Sequence, residues 1–160
     1  MNVLFVTEDL YSEHLTIMSL SSVLKKFGYG VDIAEARQGC VKTKLQNRDF
    51  SILVFALRYS GVAKHYLSLN LRIKKELNIF SIFCGLYMKF NPEIINEPGV
   101  DAVCITEGEL VLLELVNNLS AGKSITELKG WWVKRNGQIF RNPAPAAIKD
   151  IDSLPFADRT

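Results

Sequence analysis

Five short apolar runs, each of strand length, recur along this chain: NVLFVT (2 to 7), a run near 29 to 34, SILVFA (51 to 56), FSIFCG (80 to 85) and DAVCIT (101 to 106). A strand that is apolar along its whole length, rather than at every second residue, must be covered on both faces, which is the situation of a strand inside a parallel sheet. Helix-forming stretches lie between the runs. Leu20, Val23, Leu24 and Phe27 recur at i, i+3, i+4 and i+7 and stop at Gly28. Tyr66, Leu69, Ile73 and Leu77 mark a second helix over 63 to 77, and Leu112, Leu115, Val116 and Leu119 a third that ends at Gly122. The segment 35 to 49 is polar, with at most a short helix around 42 to 46. Strands alternating with helices connect by right-handed βαβ crossovers. The expected fold is therefore α/β: a flavodoxin-like, doubly wound, five-stranded parallel sheet of order 2-1-3-4-5.

Beyond Gly122 the pattern changes. WWVKRNGQIFRN places two β-prone runs around Asn136-Gly137, the dipeptide preferred in a type I′ hairpin turn. Trp131 and Trp132 are adjacent and must face opposite sides of a strand, one onto the sheet and one toward an interface. NPAPAAIKDIDSLPFADRT is rich in Pro and Ala and lacks periodicity, as a linker does. The expected organisation is a Rossmann-type domain over 1–122, a β-hairpin extension packed on it over 123–142, and over 143–160 a linker toward a catalytic domain outside this chain. A short stand-alone protein is the alternative.

Composition narrows the partners. A net charge of +2 at 22% charged residues, without a run of five like charges, gives no electrostatic reason for nucleic acid or an anionic membrane to bind. No apolar run approaches the roughly 18 residues of a membrane span, and the first run is a strand rather than a signal peptide. Three widely spaced cysteines, Cys40, Cys84 and Cys104, do not make a disulfide framework and suit a reducing cytoplasm. Without CxxC, CxxxCxxC or HxxxH the chain by itself should hold neither an iron–sulfur cluster nor zinc.

In an open α/β sheet ligands bind outside the strand carboxyl ends, here the segments 8–15, 57–61, 85–90 and 106–109. The loop TEDLYSEH lacks the glycines of a dinucleotide fingerprint, and GxxxxGK[ST] is absent. Glu8 and Asp9 resemble the acidic pair of a phosphoacceptor domain, but Ala56 and Leu57 stand where its aspartate belongs, and Thr106 or Glu107 where its lysine does. The simpler reading of that pair is a solvated turn. His65, beside Lys64, reads as a solvated helix histidine. No nucleophile, base and orienting group converge, so no catalytic residue is expected.

The most specific feature is DAVCITEGELVLLELVNNL, a buried strand running through Thr106-Glu107-Gly108-Glu109 into a helix. Together with ITELKGWWVKRNGQIFRNP, IKDIDSLPFADR, CGLYMKFNPEII and EHLTIMSLSSVLKKFGYGVDI, in this order and spacing, it resembles the N-terminal cobalamin (B12)-binding domain of B12-dependent radical S-adenosylmethionine enzymes, over essentially all 160 residues. The resemblance implies a corrinoid at the strand carboxyl ends, its nucleotide tail in the cleft and its ring on the rim. It puts Gly85 beside the tail, with Leu86 and Tyr87 in the following loop. It makes Glu107, Gly108 and Glu109 the wall after strand five, and Ala56, Leu57 and Arg58 the loop after strand three. Glu8, His14 and Leu15 would lie near the corrinoid face. Tyr87 and Arg58 read equally well as rim residues half in solvent. In the family S-adenosylmethionine and the 4Fe–4S cluster belong to the catalytic domain, and the corrinoid often carries a methyl group. Cys84 and Thr106 occupy positions usually held by glycine, and Arg58 and Tyr59 positions usually held by smaller residues. His14 lacks the DxHxxG context of a lower axial ligand, since Ser12 precedes it by two and Ile17 follows by three, so cobalt is expected without a protein histidine. A flavodoxin-like interaction or scaffold domain with a filled cleft is the other reading of the same pattern.

Overall fold

The computed structural model describes residues 1–47 and 49–159. Five parallel strands, β1 (Asn2–Thr7), β2 (Gly30–Glu35), β3 (Ile52–Ala56), β4 (Phe80–Cys84) and β5 (Ala102–Cys104), lie in the order β2-β1-β3-β4-β5, the order expected for a flavodoxin-like sheet. The hairpin is not a separate layer on this sheet. β6 (Trp131–Arg135) pairs antiparallel with β5 and β7 (Gln138–Arg141) with β6, so that among the described residues the hairpin joins the five parallel strands in one mixed sheet of seven. The physical reason lies at β5, which is three residues long and wholly buried. Left as an edge it would present unpaired backbone groups and apolar side chains to water, and the hairpin covers both.

Side chains on a strand alternate between faces, and β1 shows how both faces become core. Val3 and Phe5 join a cluster with Val54, Ile82 and the helices α1 (Leu15–Lys26) and α5 (Gly108–Ser120). Leu4 and Val6 join the opposite cluster with Leu53, Phe55 and the helices α2 (Gln38–Asn47), α3 (Ala63–Lys74) and α4 (Leu86–Phe90). The helix α2 is longer than its polar sequence suggests, because tertiary contacts supply what periodicity does not. Val41 is fully buried, and Lys44 Nζ donates to both carboxylate oxygens of Asp32 on β2, at 2.8 and 2.9 Å. The short α4 forms where a loop was expected. Trp131, fully buried, donates from Nε1 to Val111 O at 3.0 Å and ties the hairpin to α5. Trp132 lies half-buried on the other face under the guanidinium of Arg141. Among the described residues no helix is long and apolar enough to cross a membrane.

Candidate binding cleft at the strand carboxyl ends

Where β4 and β5 end, the chain turns outward into α4 and α5, and α1 stands opposite. These elements enclose a cleft of about 310 Å³, walled by Leu15, Thr16, Ser19 and Leu20 on α1 and by Glu107, Gly108 and Glu109 at the start of α5. Cys84, Gly85, Leu86, Lys89 and Thr106 complete the lining.

Gly85 makes the turn out of β4 with φ of 101°, a backbone conformation that side chains disfavour. A Cβ there would stand 2.4 Å from Leu57 O, a backbone atom that cannot swing aside. The loops after β3 and β4 are laced together at this point, since Leu57 N donates to Cys84 O at 2.8 Å and Tyr87 N to Leu57 O at 3.2 Å. Gly108 answers a different need. A Cβ there would meet Leu20 Cδ2 at 2.9 Å, so glycine lets α5 start close against α1. Glu107, the residue before α5, makes no capping hydrogen bond of its own and instead forms an ion pair with Lys89 beside the cleft. The helix dipole favours carboxylates at this end.

The two thiols under the cleft are inert. Burial pushes Cys84 well above its ordinary range and Cys104 up to about 12, so neither forms a thiolate at neutral pH. Cys104 Sγ donates to Thr106 O at 3.5 Å.

The structure divides the residues named from the sequence. Leu15, Gly85, Leu86, Glu107, Gly108 and Glu109 come together in the cleft. Leu57 is fully buried beneath the loop, and Ala56, the last residue of β3, packs against the core rather than facing the opening. Tyr87 is half-buried against the opposite core cluster, and Arg58 is exposed on the rim. Glu8 lies at the β1 end, where both of its oxygens accept from Tyr59 Oη, at 2.6 and 2.7 Å, and that hydrogen bond raises the Tyr59 phenol. Asp9 accepts from the backbone of Tyr11 and from the backbone and hydroxyl of Ser12, and the Ser12 hydrogen bonds hold its carboxyl below the usual range. His14 directly precedes α1, and its Nε2 is engaged with Thr7 Oγ1 at 2.7 Å. His65 is more than a solvated helix residue, because its Nε2 lies 2.6 Å from Ala36 O and joins α3 to the turn after β2. Among the described residues no group of three His, Cys, Asp or Glu is gathered to hold a metal ion.

Thr16 and Ser19 line the cleft without having been singled out in the sequence, Leu20 was marked only as part of the apolar face of its helix, and Lys89 only as part of the 85–90 rim. The apolar period of α1 tells which side meets the sheet but not which flank meets α5. The small residues of LTIMSLSS were the available signal.

No protein-family model matches the chain. A protein of Pyrococcus horikoshii named as an uncharacterized methyltransferase is 26% identical over 150 residues, 92% of this chain and 28% of its own length. The radical S-adenosylmethionine methyltransferase TsrM from Kitasatospora setae, solved with cobalamin and a 4Fe–4S cluster bound, superposes with a TM-score of 0.79 at 14% identity, covering 96% of this chain and 30% of that one. The cobalamin-dependent S-adenosylmethionine radical enzyme OxsB, solved with aqua-cobalamin and S-adenosylmethionine, gives 0.74 at 19% identity, covering 91% of this chain and 22% of that one. This chain spans less than a third of the length of each of these proteins. Across nearly its whole length its fold is that of one part of the B12-dependent radical S-adenosylmethionine enzymes, the family its motifs resemble.

Proposed function

We propose that this chain is a cobalamin-binding module that positions a corrinoid for a radical S-adenosylmethionine methyltransferase or related enzyme whose catalytic domain lies outside it. The observation that carries the reading is the cleft over the ends of β4 and β5, beside the turn that Gly85 makes out of β4. Its 310 Å³ sits at the lower end of the roughly 300–1,000 Å³ of small-molecule sites. That is room for a nucleotide tail and not for a corrin ring as well, which leaves the ring to the rim. There Leu15 and Leu86 are 62% and 57% exposed, apolar surface that a macrocycle would cover. Thr16, Ser19 and Thr106 offer hydroxyls, and Glu107 and Glu109 offer acceptors for the hydroxyl and amide donors of such a ligand.

When bound, the corrinoid supplies the methyl-transfer chemistry; the protein supplies binding and orientation. His14 Nε2 is already engaged with Thr7, in keeping with cobalt held without a protein histidine. S-adenosylmethionine and the 4Fe–4S cluster belong, on this reading, to the catalytic domain, which is the chief protein partner, with neither nucleic acid nor membrane involved. Residues 1–122 form the cofactor domain, 123–142 its hairpin extension and 143–160 the connection onward. Three free cysteines accord with a cytoplasmic protein.

The test is direct. The chain is incubated with hydroxocobalamin, freed of unbound cofactor by gel filtration, and its visible spectrum recorded. Near-stoichiometric corrinoid absorbance is expected. Absence of retained corrinoid, both in this chain and in a longer parent protein, overturns the reading in favour of a scaffold domain.

A further inference from the structure

The segment after β7 has the composition of a linker, yet several of its residues are anchored to the body of the domain. Gly130 N donates to Pro143 O at 2.8 Å, and the Pro145 ring lies where a Cβ on Gly130 would come within 3.2 Å of it, next to Thr106 of the cleft. At the other end Leu154 packs against the core cluster that holds α1 and α5. Asp158 then seats on α1: its Oδ2 accepts from Ser21 Oγ at 2.5 Å and pairs with Lys25 Nζ at 2.6 Å, while its backbone N donates to Met18 O at 3.0 Å. The Asp158 side chain is only 11% exposed. Arg159 meets Glu13 at 3.3 Å, just before α1 begins. Between the Leu154 and Asp158 anchors Phe156 is held out, 99% exposed.

The seat of Asp158 matters because of where it falls on α1. Met18, Ser21 and Lys25 share one flank of the helix, whereas Leu15, Thr16, Ser19 and Leu20 face the cleft. At 3.6 residues per turn the two sets point about 160° apart. A force that draws the strap onto one flank therefore fixes the position of the other, which is a wall of the cleft.

We infer that residues 143–159 form a strap that clamps α1 through Asp158 and thereby sets the width of the cleft. Asp158 is a positioning residue, acting on the cleft through a helix and touching nothing inside it. Ligand entry that shifts α1 outward loosens the strap, and a pull on the strap loosens the cleft, a coupling that is reciprocal by linkage. The clamp stands on the contacts above. Only its consequence for a corrinoid rests on the function proposed.

Two variants of the full chain test it, Asp158→Ala and Ser21→Ala, the second removing a single hydroxyl from the helix side. Chymotryptic cleavage after Phe156 reads strap release, because proteolysis tracks the population of the open form. Hydrogen exchange of amides 18–24 reads the turns that carry the cleft wall, and corrinoid retention reads the site. Both variants, with helical circular dichroism intact, are expected to raise cleavage and α1 exchange about tenfold and to weaken corrinoid retention. Unchanged cleavage overturns the clamp. Faster cleavage with unchanged α1 exchange overturns its effect on the cleft and leaves the strap a passive tail. If neither the unmodified chain nor its variants nor a longer parent protein retains corrinoid, the cofactor reading fails while protease and exchange still decide the clamp.

Discussion

Gly85 concentrates the geometry of the cleft in one residue. With φ of 101° and Leu57 O at 2.4 Å from any added Cβ, Gly85→Ala meets two penalties, backbone strain and a collision that β3 and β4 must part to relieve. The expected loss is about 2–4 kcal/mol by urea denaturation, together with loss of corrinoid retention. Gly28 provides the control. It too has positive φ, 82°, but a Cβ there would meet nothing within 4 Å, so Gly28→Ala should cost only about 1–2 kcal/mol. The buried thiols give a second prediction, on pH. Below about pH 9 the folded and unfolded chains both hold these protons. Above it the unfolded chain releases them, while the folded chain keeps Cys104 protonated up to about 12 and Cys84 likewise well above its ordinary value. The folded state then binds more protons, so stability falls with rising pH across that window, by at most about 1.4 kcal/mol per pH unit for each thiol. Denaturation midpoints from pH 8 to 10 should decline more steeply in the parent than in a Cys84→Ala, Cys104→Ala double variant.

Among the elements, the hairpin carries more of the core than its position at the end of the sheet suggests. Trp131 is among the largest fully buried side chains, packed in the α1 and α5 cluster. Trp131→Ala should cost about 3–5 kcal/mol. Trp131→Phe, which keeps most of the ring but leaves Val111 O without the indole donor, should cost about 1–2 kcal/mol by the same denaturation measurement. The difference between sequence and structure is physical here. Four of the parallel strands were legible as short apolar runs, β2 by its place in the alternation although Asp32 interrupts it, and Asn136-Gly137 announced the hairpin turn. The pairing of β6 with β5 was not legible, because it joins residues about thirty positions apart and depends on how short β5 turns out to be. LYMKF is too brief to show a helical period, so α4 is not legible, although its residues fall within the 85–90 rim. Strand-end residues such as Gly85 and Glu107 could be placed in the cleft from topology alone. Thr16 and Ser19 could not, since the rotation of α1 about its axis fixes which flank meets α5. The hydrogen bond between Glu8 and Tyr59, residues 51 positions apart, was not legible either.

At the scale of the whole molecule, the sheet, the two helix layers and the strap all act on one opening, and what the chain contributes there is shape. Cys84 in the cleft wall stays protonated and Glu107 pairs with Lys89, and on the function proposed binding is the property to measure. Two substitutions on opposite sides of the start of α1 separate the ways in which a corrinoid could be held. Ser19 is half-buried and lines the cleft, so Ser19→Trp places an indole in a space of about 310 Å³ without burdening the core-facing side of the helix. It should abolish corrinoid retention while leaving the denaturation midpoint close to that of the parent. His14 lies before the helix, tied to Thr7. Removing it costs one part-buried hydrogen bond, about 1 kcal/mol, and His14→Ala should retain corrinoid with the spectrum of the parent complex. A Ser19→Trp protein that binds as the parent does would show that the cleft is not the seat of the tail. A His14→Ala protein with a shifted cobalt spectrum would show that the imidazole reaches the metal after all, breaking its bond to Thr7 to do so.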